Sequence, residues 1–150
     1  MLKTIDPILN ADLLHALAAM GHGDDIVIAD ANFPADAVAR ATTLGHALRL
    51  DGVGAARAAR AILSLMPLDT FVDAPARRME VVGQPGEMPE VQHEVAREIA
   101  AAEGRPVALA PIERHAFYEA AKSAYCVVAT GERRFYGCFI LKKGVIPPSE

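Results

Sequence analysis

The chain has no tryptophan and only two cysteines in 150 residues. Cys126 and Cys138 show no metal-binding spacing and are too few for a disulfide framework, which fits a reducing compartment. No apolar run reaches the ~18 residues that a membrane-spanning helix needs, so no membrane association is expected. No block of Lys and Arg stands out against a net charge of −4, which argues against nucleic acid as the main partner. At the start, Lys3 and Asp6 interrupt the chain and no apolar leader stretch follows. A cytoplasmic location is the expectation. Repeats, low-complexity tracts and linkers are also missing, so residues 1–150 are expected to form one domain. A chain of this length buries roughly 68–70% of its unfolded surface, enough for a sizeable core. What is present is an ordinary apolar content of 52% with 23% charged residues.

The stretch from Met20 to Pro34 organises the rest. Before it, Ala11 to Ala19 carries Leu13, Leu14 and Leu17 at helical spacing, with Asn10 as a good N-cap. Gly21 is a natural residue for the chain to leave the helix on, because glycine tolerates a positive φ. His22 follows, held between Gly21 and Gly23. Ile26 to Ala29 is an unbroken apolar run, the pattern of a strand covered on both faces, and it stops at Asp30. Ligands of open α/β sheets bind at the carboxyl ends of strands, where Asp30 is placed. His22 belongs to the opposite end. At about 3.3 Å per residue the two lie ~20 Å apart on a straight strand. They can share a site only if the glycine loop folds back, or if a second subunit brings one of them in.

Further along, Pro34 suits the first turn of a short helix reaching about Thr43, ended by Gly45. Ala47–Leu50 reads as a strand closed by the turn pair Asp51–Gly52. Ala58, Ile62, Leu65 and Met66 share one face of a helix that Pro67 stops, with Arg57 and Arg60 facing outward. Ala76–Val82 is expected as a strand, and Gly83–Gly86 as a loop. Pro89 opens a helix with Val91, Val95 and Ile99 inward and Gly104 at its end. Pro106–Ile112 is strand-like, and Glu113–Lys122 helical. Tyr125–Ala129 and Phe135–Leu141 are expected as strands of a hairpin joined by Thr130–Arg134, and the tail from Lys142 to Glu150 as partly loose. Alternating strands and helices imply an α/β fold: a three-layer α/β/α arrangement with a mixed, mostly parallel sheet and a C-terminal antiparallel hairpin.

The residues able to support chemistry are His22, Asp30, Arg114, Tyr118, Tyr136 and Gly137. Their types suit a neutral, polyhydroxylated ligand. A carboxylate and a guanidinium hold vicinal hydroxyls, and tyrosine offers a ring face and a hydroxyl. Six of the eight aromatic residues fall between Phe117 and Phe139, which would give a sugar ring an apolar wall. Packing alone accounts for Phe117, Tyr125 and Phe139. A histidine titrates near neutrality, so His22 can give and take a proton, although a surface loop histidine has the same local sequence. Asp30 could equally cap the turn before Pro34. His15 and His93 read as exposed or locally satisfied and His46 as part of a turn; His115, next to Arg114, is a lesser candidate for the edge of a pocket. No pair among His22, Asp24, Asp25, Asp30 and His115 has a zinc-like spacing, so no metal is expected. Gly21–Asp24 lacks both phosphate-loop spacings.

Met1-Leu-Lys-Thr-Ile5, Met20-Gly-His-Gly-Asp24 and Asp30-Ala-Asn-Phe-Pro34 resemble the L-fucose mutarotase and D-ribose pyranase family. So do Arg114–Glu119, Ala129–Glu132, and Tyr136–Gly137 leading to Leu141–Val145. The resemblance runs nearly end to end and is weakest from about Thr70 to Gly104. It implies an isomerase that interconverts monosaccharide anomers, or pyranose and furanose forms, with no cofactor and no metal. It implies His22 as proton donor, with Asp30, Arg114 and the Tyr136–Gly137 turn binding the sugar; Tyr118 and Cys138 complete the expected set. Ring opening needs a proton delivered to the ring oxygen while another leaves the anomeric hydroxyl, help worth ~10²–10⁴-fold. Homo-oligomeric rings, often decamers with sites between subunits, are also implied. Two positions depart from the pattern: Cys138 stands where the family has Asn after Tyr-Gly, and Asn32 where fucose-type members carry His. The Asp-Ala-x-Phe-Pro and Arg-x-Ala-Phe-Tyr-Glu segments favour the fucose branch. A D-ribose pyranase and a non-catalytic sugar-binding or transport-accessory protein are the competing readings.

Overall fold

A computed structural model describes residues 1–149. Five helices and six strands follow one another as α1 (Ala11–Ala19), β1 (Asp25–Ala29), α2 (Ala35–Ala39), β2 (Leu48–Leu50), α3 (Ala55–Leu63), β3 (Ala76–Met79), α4 (Glu90–Glu103), β4 (Ala110–Ile112), α5 (Arg114–Lys122), β5 (Cys126–Thr130) and β6 (Phe139–Lys142). The strands form one sheet in the order β2-β5-β1-β6-β3-β4. Pairing is parallel for β1 with β5, β2 with β5, and β3 with β4; β6 runs antiparallel to both β1 and β3. Five strands therefore point one way and the last points back.

The apolar run of β1 is explained by its two faces. Ile26 and Ile28 join a core with Leu13 and Leu17 of α1, Ile62 of α3, and Val95 and Ile99 of α4. Val27 and Ala29 point the other way, into a core with Val38 of α2 and Phe117 and Ala121 of α5. Helices thus cover both faces, and the three-layer α/β/α arrangement with a mixed, mostly parallel sheet is the observed one. Phe117 and Phe139 are fully buried in these cores, and Tyr125 packs half-buried against the first, in line with the packing reading of all three. No helix among the described residues is long and apolar enough to cross a membrane.

Local signals set the helix ends well. Asn10 accepts the Leu13 N–H, and Gly104 ends α4 at φ 70°. Other expectations need correction. β5 and β6 run in opposite directions but form no hairpin, because β1 lies between them. Gly21 does not take the positive φ; the chain leaves α1 through Met20 in extended backbone, and Gly23 turns it at φ 88°. Leu65 lies beyond the end of α3 and is exposed. β3, β4 and β6 are also shorter than expected, β6 beginning only at Phe139. The tail after Lys143 has no regular structure as far as residue 149, and Glu150 lies outside the described residues.

Candidate functional site

The antiparallel direction of β6 brings four separated segments together. Its register sets Phe139 opposite Ile28, so the turn before it sits at the carboxyl end of β1, beside Asp30. β3 pairs with β4, Met79 opposite Ile112, which puts the first turn of α5 at that same end of the sheet. An open cleft of ≈ 200 Å³ results, lined by Asp30, Asn32, Phe33, Met79, Arg114, Tyr118, Phe135, Tyr136 and Cys138. The expected binding side chains Asp30, Arg114, Tyr118, Tyr136 and Cys138 thus converge, and Gly137 contributes its backbone.

Asp30 is only 6% exposed. Its Oδ1 accepts the N–H groups of Asn32 and Phe33 at 3.0 Å each, and its Oδ2 accepts Gly137 N–H at 3.2 Å. Three of about four lone-pair positions on an ionised carboxylate are thereby used, leaving room for one further donor. The capping and binding readings of Asp30 are compatible: the bonds that shape the turn also aim the carboxylate. Gly137 owes its identity to close approach, since a Cβ there would lie 2.8 Å from Glu132 Cγ. Tyr136 adopts φ 61°, a left-handed conformation costing a tyrosine ~1–3 kcal/mol, and its hydroxyl accepts Val82 N–H at 3.3 Å. Across the cleft, Arg114 Nε donates to the Tyr118 hydroxyl at 3.0 Å, and its guanidinium lies 5.5 Å from the centre of that ring. Phe33 packs on Tyr118 with ring centres 5.5 Å apart. A carboxylate on one wall and a guanidinium on the other, with aromatic faces between, can bind hydroxyls and the apolar side of a sugar ring. Cys138 is 2% exposed, and burial beside the Asp30 carboxylate pushes its thiol well above the usual range. It lines the cleft together with Tyr136, and both residues precede β6.

His22 is not in the cleft. It lies before β1, at the amino end, and the glycine loop does not fold back. Gly23 N–H is tied to Lys143 O at 2.8 Å, and Gly21 N–H to Asp24 Oδ2 at 2.7 Å. His22 Nε2 lies 3.0 Å from Asp69 Oδ1, and its ring meets Phe71 edge-on with centres 5.0 Å apart. A carboxylate oxygen can only accept, so Nε2 carries the hydrogen and Nδ1 is the nitrogen left for exchange. Asp69 is 3% exposed; the Phe71 N–H, and then His22, hold its carboxyl below the usual range.

Asp69 and Glu132 have structural roles that the sequence reading did not assign. Asp69 stands alone after Met66-Pro-Leu68, with no periodic signal. Glu132 is 5% exposed, accepts Ala55 N–H to cap α3 and pairs with Arg134, while its carbonyl accepts Ala31 N–H. The Arg134 guanidinium beside it lowers its carboxyl to about 2. His15, His46, His93 and His115 are all exposed, His115 lying edge-on to Tyr118. Among the described residues no three His, Cys, Asp or Glu side chains gather in a metal-binding group.

The chain is 47% identical to the human protein named fucose mutarotase, over 97% of this chain and 94% of that one. It superposes with a TM-score of 0.85 on the fucose mutarotase of Streptococcus pneumoniae solved in complex with L-fucose, at 38% identity, covering 97% of this chain and all of the other. FucU from Bifidobacterium longum superposes with a TM-score of 0.86 at 43% identity, over 95% of this chain and 100% of that one. The profile of the RbsD / FucU transport protein family matches residues 3–146. With a match of that extent, the chain belongs to the RbsD/FucU family.

Proposed function

We propose that the protein is an L-fucose-type mutarotase, a carbohydrate isomerase that interconverts the α and β anomers of a monosaccharide by opening and closing the sugar ring. The observation that carries this reading is the cleft at the carboxyl end of β1, where Asp30, Arg114, Tyr118 and Tyr136 meet in a chain similar throughout to proteins named fucose mutarotase. Asp30 accepts a sugar hydroxyl on its remaining lone pair. Arg114 and Tyr118 donate to neighbouring oxygens, and the aromatic faces of Tyr136 and Phe33 lie along the ring. His22 is the proton donor: with Asp69 holding Nε2–H, its imidazolium gives the Nδ1 proton to the ring oxygen while the anomeric hydroxyl gives up its own, and ring closure returns the proton to Nδ1. No hydride, electron or acyl group moves, so the reaction asks for neither cofactor nor metal.

His22 and the cleft lie at opposite ends of β1, so the reaction requires a second copy of the chain to bring its His22 to the cleft. Exposure of Phe71 beside His22 and of Phe135 at the cleft, both 73%, supports such docking. The working unit is then a closed homo-oligomer, a ring of single-domain subunits in the cytoplasm.

Saturation-transfer exchange between anomers, measured on fucose, ribose, galactose and rhamnose, tests the reading. Exchange of fucose well above the spontaneous rate supports it. Exchange confined to ribose pyranose and furanose forms makes the protein a pyranase, and binding without exchange makes it an accessory binder. Sedimentation showing an active monomer would refute the shared site.

A further inference from the structure

Gln92 lies on α4 beside Val91 and is fully buried. An apolar residue would fill this helix face at lower cost, because a buried amide is unfavourable unless its polar atoms are paired. Here they are. Nε2 donates to Met79 O at 2.8 Å and to Tyr136 O at 3.0 Å, and Oε1 accepts from Arg78 Nη1 at 3.2 Å. Two carbonyls on one side and a guanidinium on the other leave the amide only one orientation.

The two carbonyls belong to residues whose side chains line the cleft from different segments, the end of β3 and the turn before β6. Gln92 ties these walls together from behind. Tyr136 needs such a tie, because φ 61° persists in a bulky residue only where the surroundings enforce it. The second constraint comes from the same cluster. Arg78, itself buried, donates to Glu87 O and Pro85 O and so holds the segment after β3, whose Val82 N–H meets the Tyr136 hydroxyl.

We propose that Gln92 is a positioning residue for sugar binding: from behind the cleft it fixes the left-handed turn at Tyr136, and with it the face that Tyr136 offers the sugar. The inference rests on the mutarotase reading above.

The test uses the full-length protein and anomer exchange on fucose. Gln92→Met keeps the length of the side chain and removes all three hydrogen bonds. The expected result is a KM raised about tenfold with kcat within about threefold, since the lost contact orders the bound sugar and transfers no proton. In a Tyr136→Ala background, adding Gln92→Met should change KM by less than about twofold, because residues acting through one another are not additive. Should Gln92→Met fail to fold, Gln92→Glu keeps the shape of the side chain and an acceptor for Arg78 while its carboxylate donates to neither Met79 O nor Tyr136 O, and the same KM effect is expected. An unchanged KM in the folded variant, or full additivity with Tyr136→Ala, overturns the proposal. A wild-type protein that exchanges no sugar overturns the mutarotase reading itself, and this inference with it.

Discussion

The two ends of β1 are built differently. At the carboxyl end, Asp30 is buried and three backbone N–H groups fix it; Gly137 is packed against Glu132 and Tyr136 is held in a strained turn. At the amino end, the side chain of His22 is 38% exposed and its ring makes one hydrogen bond, to a buried aspartate. A binding surface must be rigid to select its ligand, whereas a proton donor needs a correct tautomer and access to the reacting atom. The difference predicts that damage at the carboxyl end harms the fold and binding together, while damage at the amino end harms the chemical step alone.

The largest effect is expected from His22→Ala. Loss of the donor should slow exchange by ~10²–10⁴-fold, with thermal stability and sugar affinity nearly unchanged. A folded variant that exchanges anomers at the wild-type rate would remove His22 from the mechanism. Asp30→Ala is the counterpart. It strips the buried Gly137 N–H of its acceptor, which should cost about 1–3 kcal/mol of stability, and sugar binding should fall with it. If Asp30→Ala melts like the wild type, the carboxyl end is not the rigid half.

How far the sequence reveals these ends follows from the range of the forces. The α1 boundaries, the Gly104 cap and the apolar β1 were legible because caps and periodicity act within a few residues. The pairing of β5 and β6 was not, because a short connection suggests a hairpin and nothing local says that β1 lies between them. Asp30, Arg114, Tyr118, Tyr136 and Cys138 were each visible as residue types, and the resemblance grouped them. Their convergence depends on the antiparallel entry of β6 and the pairing of β3 with β4. Asp69 and Gln92 were missed for the same reason: neither the apolar stretch before Asp69 nor the polar one around Gln92 marks it, and each is explained by partners far along the chain.

Acid should expose the contrast at a smaller scale. Glu132, beneath the carboxyl end, has its carboxyl lowered from 4.5 to about 2, chiefly by Arg134. A carboxylate with a lowered folded pKa stabilises fully above its unfolded value and loses that contribution as pH falls through the folded value. Stability should therefore decline between pH 4.5 and about 2. With Arg134 half exposed, the loss attributable to Glu132 is on the order of 2 kcal/mol. Glu132→Gln should flatten this limb of a denaturant-midpoint profile. Asp69 at the amino end is lowered in the same direction, by Phe71 N–H and then by the partly exposed His22, so Asp69→Asn should flatten it less. Equal flattening would mean that the two ends are equally tied to the fold.

The smallest effect concerns which sugar the carboxyl end prefers. Cys138 lines the cleft where an amide stands in the family pattern, and it is almost completely covered. A thiol is a weak hydrogen-bond partner, whereas an amide donates and accepts, so this wall can read a hydroxyl only feebly. Sugars that differ at the hydroxyl nearest Cys138 should therefore be accepted more evenly than an amide would allow. In Cys138→Asn the new amide can donate to a sugar oxygen through its NH2 and accept from a sugar hydroxyl through its carbonyl. One added neutral hydrogen bond is worth about 1 kcal/mol net, so preference for fucose over the other sugars should rise ~5-fold, with stability little changed. Exchange rates on the four-sugar panel for both forms provide the measurement. Identical selectivity would mean that position 138 reads no hydroxyl, and that discrimination at this end comes from Asp30, Arg114 and the Tyr136 face alone.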